Sequence, residues 1–345
     1  MREVKVGLVG FGFSGATFHA PVIKAVEGLT ISTVVSSNAD KVHHSFPEVN
    51  VVSSMEELLT DEEIELVIIT TPNEFHFPMA KQALEAGKHV VLEKPFTVSV
   101  EEGERLITVA EENDRLLSVY HNRRYDSDFL TIKQLVKEKQ FGSVITYEAH
   151  YDRYRAEVRD RWREQDKKGS GILFDLGSHL IDQALTLFGK PDGVYADIMA
   201  QREEGKTDDY FHLILHYGKK RVILHGGSLV KKHGPRYQIH GIKGSFLKWG
   251  IDPQEEALIA GRVPGDSGWG EEAREQFGVL TNEEGDHEVK TLPGSYQTYY
   301  KDVYQALKED SAPPVTAEEA LNVVKVIELA FKSSEEKKVM HWVWV

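Results

Sequence analysis

Residues 6–15 read VGLVGFGFSG, and the reading of this stretch decides how the chain begins. An apolar run ends at Gly10, and glycines return at Gly12 and Gly15 to give G-x-G-x-x-G. Three spaced glycines alone also mark plain turns. Here they follow the strand pattern VKVGLVG and precede the helical pattern ATFHAPVIKAVEG, which closes at Gly28. A helix opening on such a loop offers free backbone N–H groups to a pyrophosphate, so the segment predicts a dinucleotide site formed by Gly10, Phe11, Gly12, Phe13, Ser14 and Gly15. An acidic residue about 20 positions on would hold the adenosine ribose. The second strand instead ends in TVVSSNADK, where Ser36, Ser37 and Asn38 are neutral and Lys41 follows closely. With no carboxylate there to repel a 2′-phosphate, this set favours NADP over NAD. The competing reading has the serines cap a turn while Asp40 reaches the ribose.

Outward from the motif, short apolar strands alternate with helices. LTISTVVS, IELVIITT, HVVLE and RLLSVYH read as further strands. The helices between them carry capping boxes at Ser54/Glu57 and Ser99/Glu102. This grammar predicts a doubly wound parallel sheet with helices on both faces. After His121 it changes. SVITYEAHYDRY, GVYADIMAQR, DYFHLILHYG, RVILHGGSLV and YQIHG are β-rich and closely spaced, and they predict a large, mostly antiparallel sheet. Helices are expected near 172–188, 297–309 and 317–332, the last capped by Thr316 and Glu319. Two domains follow, 1–121 and 122–345, the first α/β and the second α+β.

Composition narrows the function classes. The 345 residues carry a net charge of -14, which repels phosphate backbones and anionic membranes, so neither nucleic acid nor membrane is an expected partner. Cysteine is absent, which removes disulfides, thiolate metal sites and cysteine nucleophiles and suits a reducing compartment. No apolar stretch has the length of a membrane span, and MREVKVGLVG runs into a strand without a basic leader. The expected location is the cytoplasm.

In a doubly wound sheet all strand carboxyl ends lie on one rim, where ligands bind. Read in order, those ends are GFGFSG, SSN, TTPNEFH, EKPF and YHNRR, and each carries polar, basic or proline residues. In Glu93-Lys94-Pro95 a lysine at this rim could polarise a substrate oxygen and stabilise a developing alkoxide, with Glu93 orienting it. Taken alone, the triplet also reads as a surface turn. A second constellation is GSGILFDLGSHLIDQALTLFGKP, where Asp175 and His179 are four apart on one side of a helix. A histidine beside a carboxylate is a proton acceptor near neutral pH. The alternatives are a solvent-facing polar stripe with Asp182 and Thr186, and, last, metal ligation, which lacks any supporting motif; no metal site is expected. His212 and His216 share a strand face and read as structural. In YDRYRAEVRDRWREQ, acids and arginines interleave as on a salt-bridged surface, or Trp162 and a neighbouring arginine lean over a cofactor.

Taken together and in this order, the glycine motif, TTPNEFH, EKP and the D-x-x-x-H helix resemble the glucose–fructose oxidoreductase / inositol dehydrogenase / rhizopine-catabolism (Gfo/Idh/MocA) family over nearly the whole chain. HNRRYDSDFL, VRDRWREQ, DLGSHLIDQ and GPRYQIHG are similar to its bacterial branch of NADP-dependent scyllo-inositol 2-dehydrogenases. The resemblance implies a Rossmann domain followed by an open-faced sheet domain that forms homo-oligomers, dimers or tetramers. It implies a cyclitol or sugar substrate, with Lys94 on the reacting hydroxyl, His179 as general acid/base, and Asp175 binding and orienting a substrate hydroxyl and the histidine. It also implies a cofactor held by the glycine loop, Ser36, Ser37, Thr70, Thr71, Pro72, Asn73, His76, Glu93 and Lys94. Asn122 and Arg123 would lie near the nicotinamide, and Trp162 and Arg163 would approach from the second domain. Reduction of another sugar or keto-polyol, and an NADP-binding sensor without chemistry, are the alternatives.

Overall fold

The computed structural model describes residues 3–342. Six strands form the first sheet: β1 (Val4–Val9), β2 (Leu29–Val35), β3 (Asn50–Val52), β4 (Ile64–Ile69), β5 (His89–Leu92) and β6 (Leu117–Val119). Their order is β3-β2-β1-β4-β5-β6, and every pair is parallel. This is the doubly wound order of a Rossmann fold. Val6, Leu8, Leu66, Ile68, Val90 and Val91 are all buried, because helices cover both faces and a central parallel strand has no side for water. The order reverses between β1 and β4, so the loops after those strands stand side by side. The sequence predicts five strands here. The sixth, β3, is a three-residue edge strand too short to carry a periodic signal.

The second sheet has nine strands: β7 (Val144–His150), β8 (Gly193–Met199), β9 (Tyr210–Tyr217), β10 (Lys220–Gly227), β11 (Tyr237–Gly241), β12 (Ser245–Lys248), β13 (Gly278–Asn282), β14 (Gly285–Val289) and β15 (Met340–His341). Their order is β14-β13-β12-β11-β7-β10-β9-β8-β15. All pairs are antiparallel except β7 with β10. One face is core: Tyr147, Ala149, Val194, Leu213, Leu215, Val222 and Leu224 pack with Leu173, Leu180 and Ile181. The alternate residues, among them Tyr195, Ile214, Ile223 and His225, point to the other face and keep partial exposure.

The chain forms two compact units. The first, besides the segment ending at Tyr125, includes Gln254–Trp269 and Ser295–Leu321; the second holds Asp126–Pro253, Gly270–Gly294 and the chain from Asn322. The sequence alone predicts one boundary, at 121/122. The returning segments join the first unit through long-range contacts: Ser118 Oγ hydrogen-bonds the Tyr299 hydroxyl (2.8 Å), and Tyr120, Tyr299 and Tyr300 pack ring against ring.

Candidate functional site

The glycine loop follows β1. Gly10 has φ +95°, a left-handed conformation that favours glycine. A Cβ on Gly15 would lie 2.2 Å from the Gly10 carbonyl oxygen and 2.8 Å from Thr70 Oγ1, so a side chain has no room there. A Cβ on Gly12 meets nothing within 4 Å: that side of the loop is open. The Thr70 hydroxyl, at the end of β4, donates to the Gly10 carbonyl (2.9 Å) and so ties the two loops at the switch point together. The open position, the tight turn and the following helix fit a pyrophosphate. That helix opens as a π turn, Gly15–His19, before the α-helical Ala20–Lys24. Phe13 is exposed and meets Phe18 edge to face.

At the end of β2 the polar groups organise one another. The Asn38 N–H donates to Ser36 Oγ (3.1 Å), and Asn38 Oδ1 caps the next helix by accepting from the Lys41 N–H (2.9 Å). Lys41 Nζ folds back to donate to the Phe11 carbonyl (2.8 Å). The lysine ammonium thus lies against the glycine loop, while Asp40 is an exposed first-turn residue.

At the end of β5, Lys94–Pro95 is a cis peptide. Glu93 Oε2 accepts the Lys94 backbone N–H (2.9 Å), and Oε1 accepts from the Ser14 hydroxyl and meets His19 Nε2 (2.9 Å). The Tyr300 hydroxyl lies on His19 Nδ1. Burial holds the Tyr300 hydroxyl well above the usual phenol range, so it stays protonated beside His19 Nδ1, while His19 Nε2 faces the Glu93 carboxylate. Burial pushes Glu93 up, but hydrogen bonding and charge from His19, the Lys94 ammonium and Ser14 outweigh it and hold the carboxyl well below its usual range. The lysine backbone is therefore fixed by a carboxylate that a buried Tyr–His pair positions. His19 and Tyr300 were not legible as site residues, because Tyr300 lies 281 positions away.

His76 is fully buried, with Nδ1 2.8 Å from the Pro95 carbonyl and Nε2 3.0 Å from the Thr71 carbonyl. It joins the TTPN and EKP turns and offers no surface to a ligand. Asn73 is buried, while Thr71 and Pro72 keep partial exposure. Arg123 is also buried, its guanidinium bound to Glu255 and near the Tyr296 hydroxyl (3.5 Å), which commits it within its own unit; Asn122 beside it keeps partial exposure.

In the second unit, Asp175 lies in another π turn, Leu173–Gly177, and His179 in the first turn of the α-helix Ser178–Phe188. Such turns recur at functional sites. His179 and Asp182 are 5% and 2% exposed, which removes the solvent-stripe reading. Arg163 Nε lies 3.3 Å from Asp175 Oδ1, and Arg153 approaches Oδ2 at 4.0 Å. The Arg163 guanidinium also stacks on the Trp162 ring (4.6 Å). Trp162, Arg163 and Asp175 are thus one assembly. The VRDRWREQ stretch is in part salt-bridged, since Glu164 holds both Arg161 and Arg202.

Residues 4–121 match the model of the oxidoreductase family's NAD-binding Rossmann fold, and residues 133–344 match that of its C-terminal alpha/beta domain. The chain belongs to the Gfo/Idh/MocA oxidoreductase family. It is an NAD(P)-binding oxidoreductase of that family. It is 50% identical over 341 residues to the scyllo-inositol 2-dehydrogenase (NADP(+)) IolW of Bacillus subtilis, covering 98% of this chain and 95% of that protein. It is 46% identical to the uncharacterized oxidoreductase YdgJ of Escherichia coli, covering 98% of each. The solved structure of YvaA from Bacillus subtilis superposes with a TM-score of 0.97 at 48% identity, covering 99% of both chains. Among the described residues, no helix is long and apolar enough to cross a membrane.

Proposed function

We propose that this Gfo/Idh/MocA protein is an NADP-dependent dehydrogenase that interconverts scyllo-inositol and scyllo-inosose. The observation that carries the reading is the 50% identity over nearly the full length with a scyllo-inositol 2-dehydrogenase (NADP(+)). The uncharged Ser36-Ser37-Asn38 end of β2, with Lys41 beside it, supports NADP over NAD. When bound, NADP supplies the hydride acceptor. Lys94 places an ammonium at the reacting oxygen and stabilises the negative charge that grows there. His179 takes the hydroxyl proton and returns it in the reverse direction. Asp175, anchored by Arg163, accepts hydrogen bonds from ring hydroxyls. The place of action is the cytoplasm, which the absence of cysteine supports.

The test is kcat/KM with NADP for scyllo-inositol, myo-inositol, glucose and sorbitol. A site built to pair ring hydroxyls discriminates against analogues that leave its polar groups unmatched, by up to roughly 10⁴-fold. The inositols should lead; glucose or sorbitol ahead of both would end the cyclitol assignment. His179→Ala should lose roughly 10²- to 10⁴-fold in turnover while still binding NADPH. Near-normal turnover would remove His179 from the mechanism.

A further inference from the structure

We propose that His150, Asp152 and His225 form a binding site for one divalent transition-metal ion of the zinc class, on the face of the nine-stranded sheet opposite its core. None of the three takes part in the chemistry above. His150 ends β7 and His225 lies on β10; the two strands pair in parallel, and these residues are register partners. The pairing continues past the end of β7: the Tyr151 N–H donates to the His225 carbonyl (2.8 Å) and the Arg153 N–H to the Gly227 carbonyl (2.9 Å). Asp152 is therefore held in extended backbone two residues beyond His150, so both side chains leave the same face.

The two histidines bracket the Asp152 carboxylate, one at each oxygen. His150 Nδ1 lies 3.4 Å from Asp152 Oδ2, and His225 Nε2 lies 3.3 Å from Asp152 Oδ1. One ligand atom from each residue can be chosen so that all lie within 4.8 Å of one another. A tetrahedral ion with bonds of about 2.0–2.1 Å places its ligand atoms roughly 3.3–3.4 Å apart. Asp152 Oδ1 is buried and accepts no aligned hydrogen bond among the described residues, although the His225 nitrogen is so close. The Asp152 side chain is only 10% exposed, while His150 and His225 keep 26% and 17%, so the carboxylate is the most sheltered of the three. The His150 Nε2 atom, which would face away from the ion, lies 3.8 Å from Glu148 Oε2, beyond hydrogen-bonding distance. Two imidazoles and one carboxylate, without thiolate, suit Zn²⁺, Co²⁺ or Ni²⁺ rather than the hard ions Mg²⁺ and Ca²⁺.

The experiment uses tag-free, full-length protein freed of metal by a chelator and titrated with Co²⁺ alone, followed by its visible absorption. Saturation at one equivalent, and reversal of the signal by Zn²⁺, are expected. Asp152→Asn and His225→Gln should weaken binding by at least about tenfold, and His216→Gln, on the same sheet face but outside the cluster, should not. Circular dichroism establishes that each variant is folded. No stoichiometric uptake of Co²⁺, or unchanged affinity in folded Asp152→Asn, would each overturn the site.

Discussion

Gly12 and Gly15 stand three residues apart in one loop and are glycine for different reasons. Gly15 has no room for a Cβ, because the nearest obstacle is the Gly10 backbone carbonyl, which no rotamer change can move. Gly12 has room and faces the side left open for a phosphate. The two alanine variants should therefore separate. Gly15→Ala should lose stability by about 1–3 kcal/mol, the usual size of an overpacking strain, and lose NADPH binding with it. Gly12→Ala should unfold at the wild-type urea midpoint yet bind NADPH at least about tenfold more weakly, because the added methyl group keeps the pyrophosphate from the backbone. Fluorescence titration and urea unfolding of both variants check this, and a Gly12→Ala protein with unchanged affinity would remove the loop from the cofactor site. At the end of β2, Ser36→Asp should repel the 2′-phosphate and shift preference toward NAD by roughly 10- to 100-fold, about 1–3 kcal/mol. Tighter binding of NAD than NADP by the unaltered protein would refute the cofactor assignment before any variant is made.

Elements differ in how much of their structure is written locally. The caps at Ser54, Ser99 and Thr316 form as expected, each side-chain oxygen accepting the N–H three residues on, since a capping box is complete within four residues. The strands of the second sheet alternate buried and open as their sequences do. In sequence the two π turns look like ordinary helix, because a single wide turn leaves the apolar periodicity nearly intact. Arg123–Glu255 and His19–Tyr300 join residues far apart in sequence, so no spacing rule reveals them. The same holds for His150 and His225, which strand pairing rather than spacing brings together. One element carries a pH dependence. Asp208 accepts the Leu173 N–H (2.8 Å) at the start of the second π turn, and burial raises its carboxyl to about 6 from 3.8. The folded state thus holds this proton more tightly than the unfolded chain. Its stabilising contribution is complete below pH 3.8 and is lost as pH rises through 6. Asp208→Asn keeps an acceptor for Leu173 and removes the titration. It should flatten the fall in stability between about pH 4 and 6 and add about 1–3 kcal/mol at pH 8. Urea midpoints across that range decide it; an unchanged slope would place the titration elsewhere.

At the scale of the whole molecule, the -14 charge and the sheet of the second unit bear on association. One face of that sheet is closed by its own helices. On the other, Tyr195 on β8 pairs with Ile214 on β9, which pairs with Ile223 on β10, so an aromatic and two β-branched residues form a row across three strands. Met199 extends the apolar surface at the end of β8 and is exposed. A face of this kind, on a chain whose net charge opposes non-specific contact, suits a self-complementary pairing in which the same patch meets its copy across a twofold axis. A stable pair of this sort buries roughly 1,600 Å² or more in total. We therefore expect an even-numbered homo-oligomer in solution, with this face at the interface. The double variant Ile214→Lys/Ile223→Lys places charge at the centre of the row on side chains that do not enter the core. It should keep the circular dichroism spectrum while moving the mass measured by light scattering toward that of one chain. The salt dependence separates the causes: an interface driven by apolar burial persists in high salt, whereas one built on surface ion pairs weakens. A wild-type protein that is monomeric at micromolar concentration would refute the oligomer, and a double variant of wild-type mass would move the interface to another face.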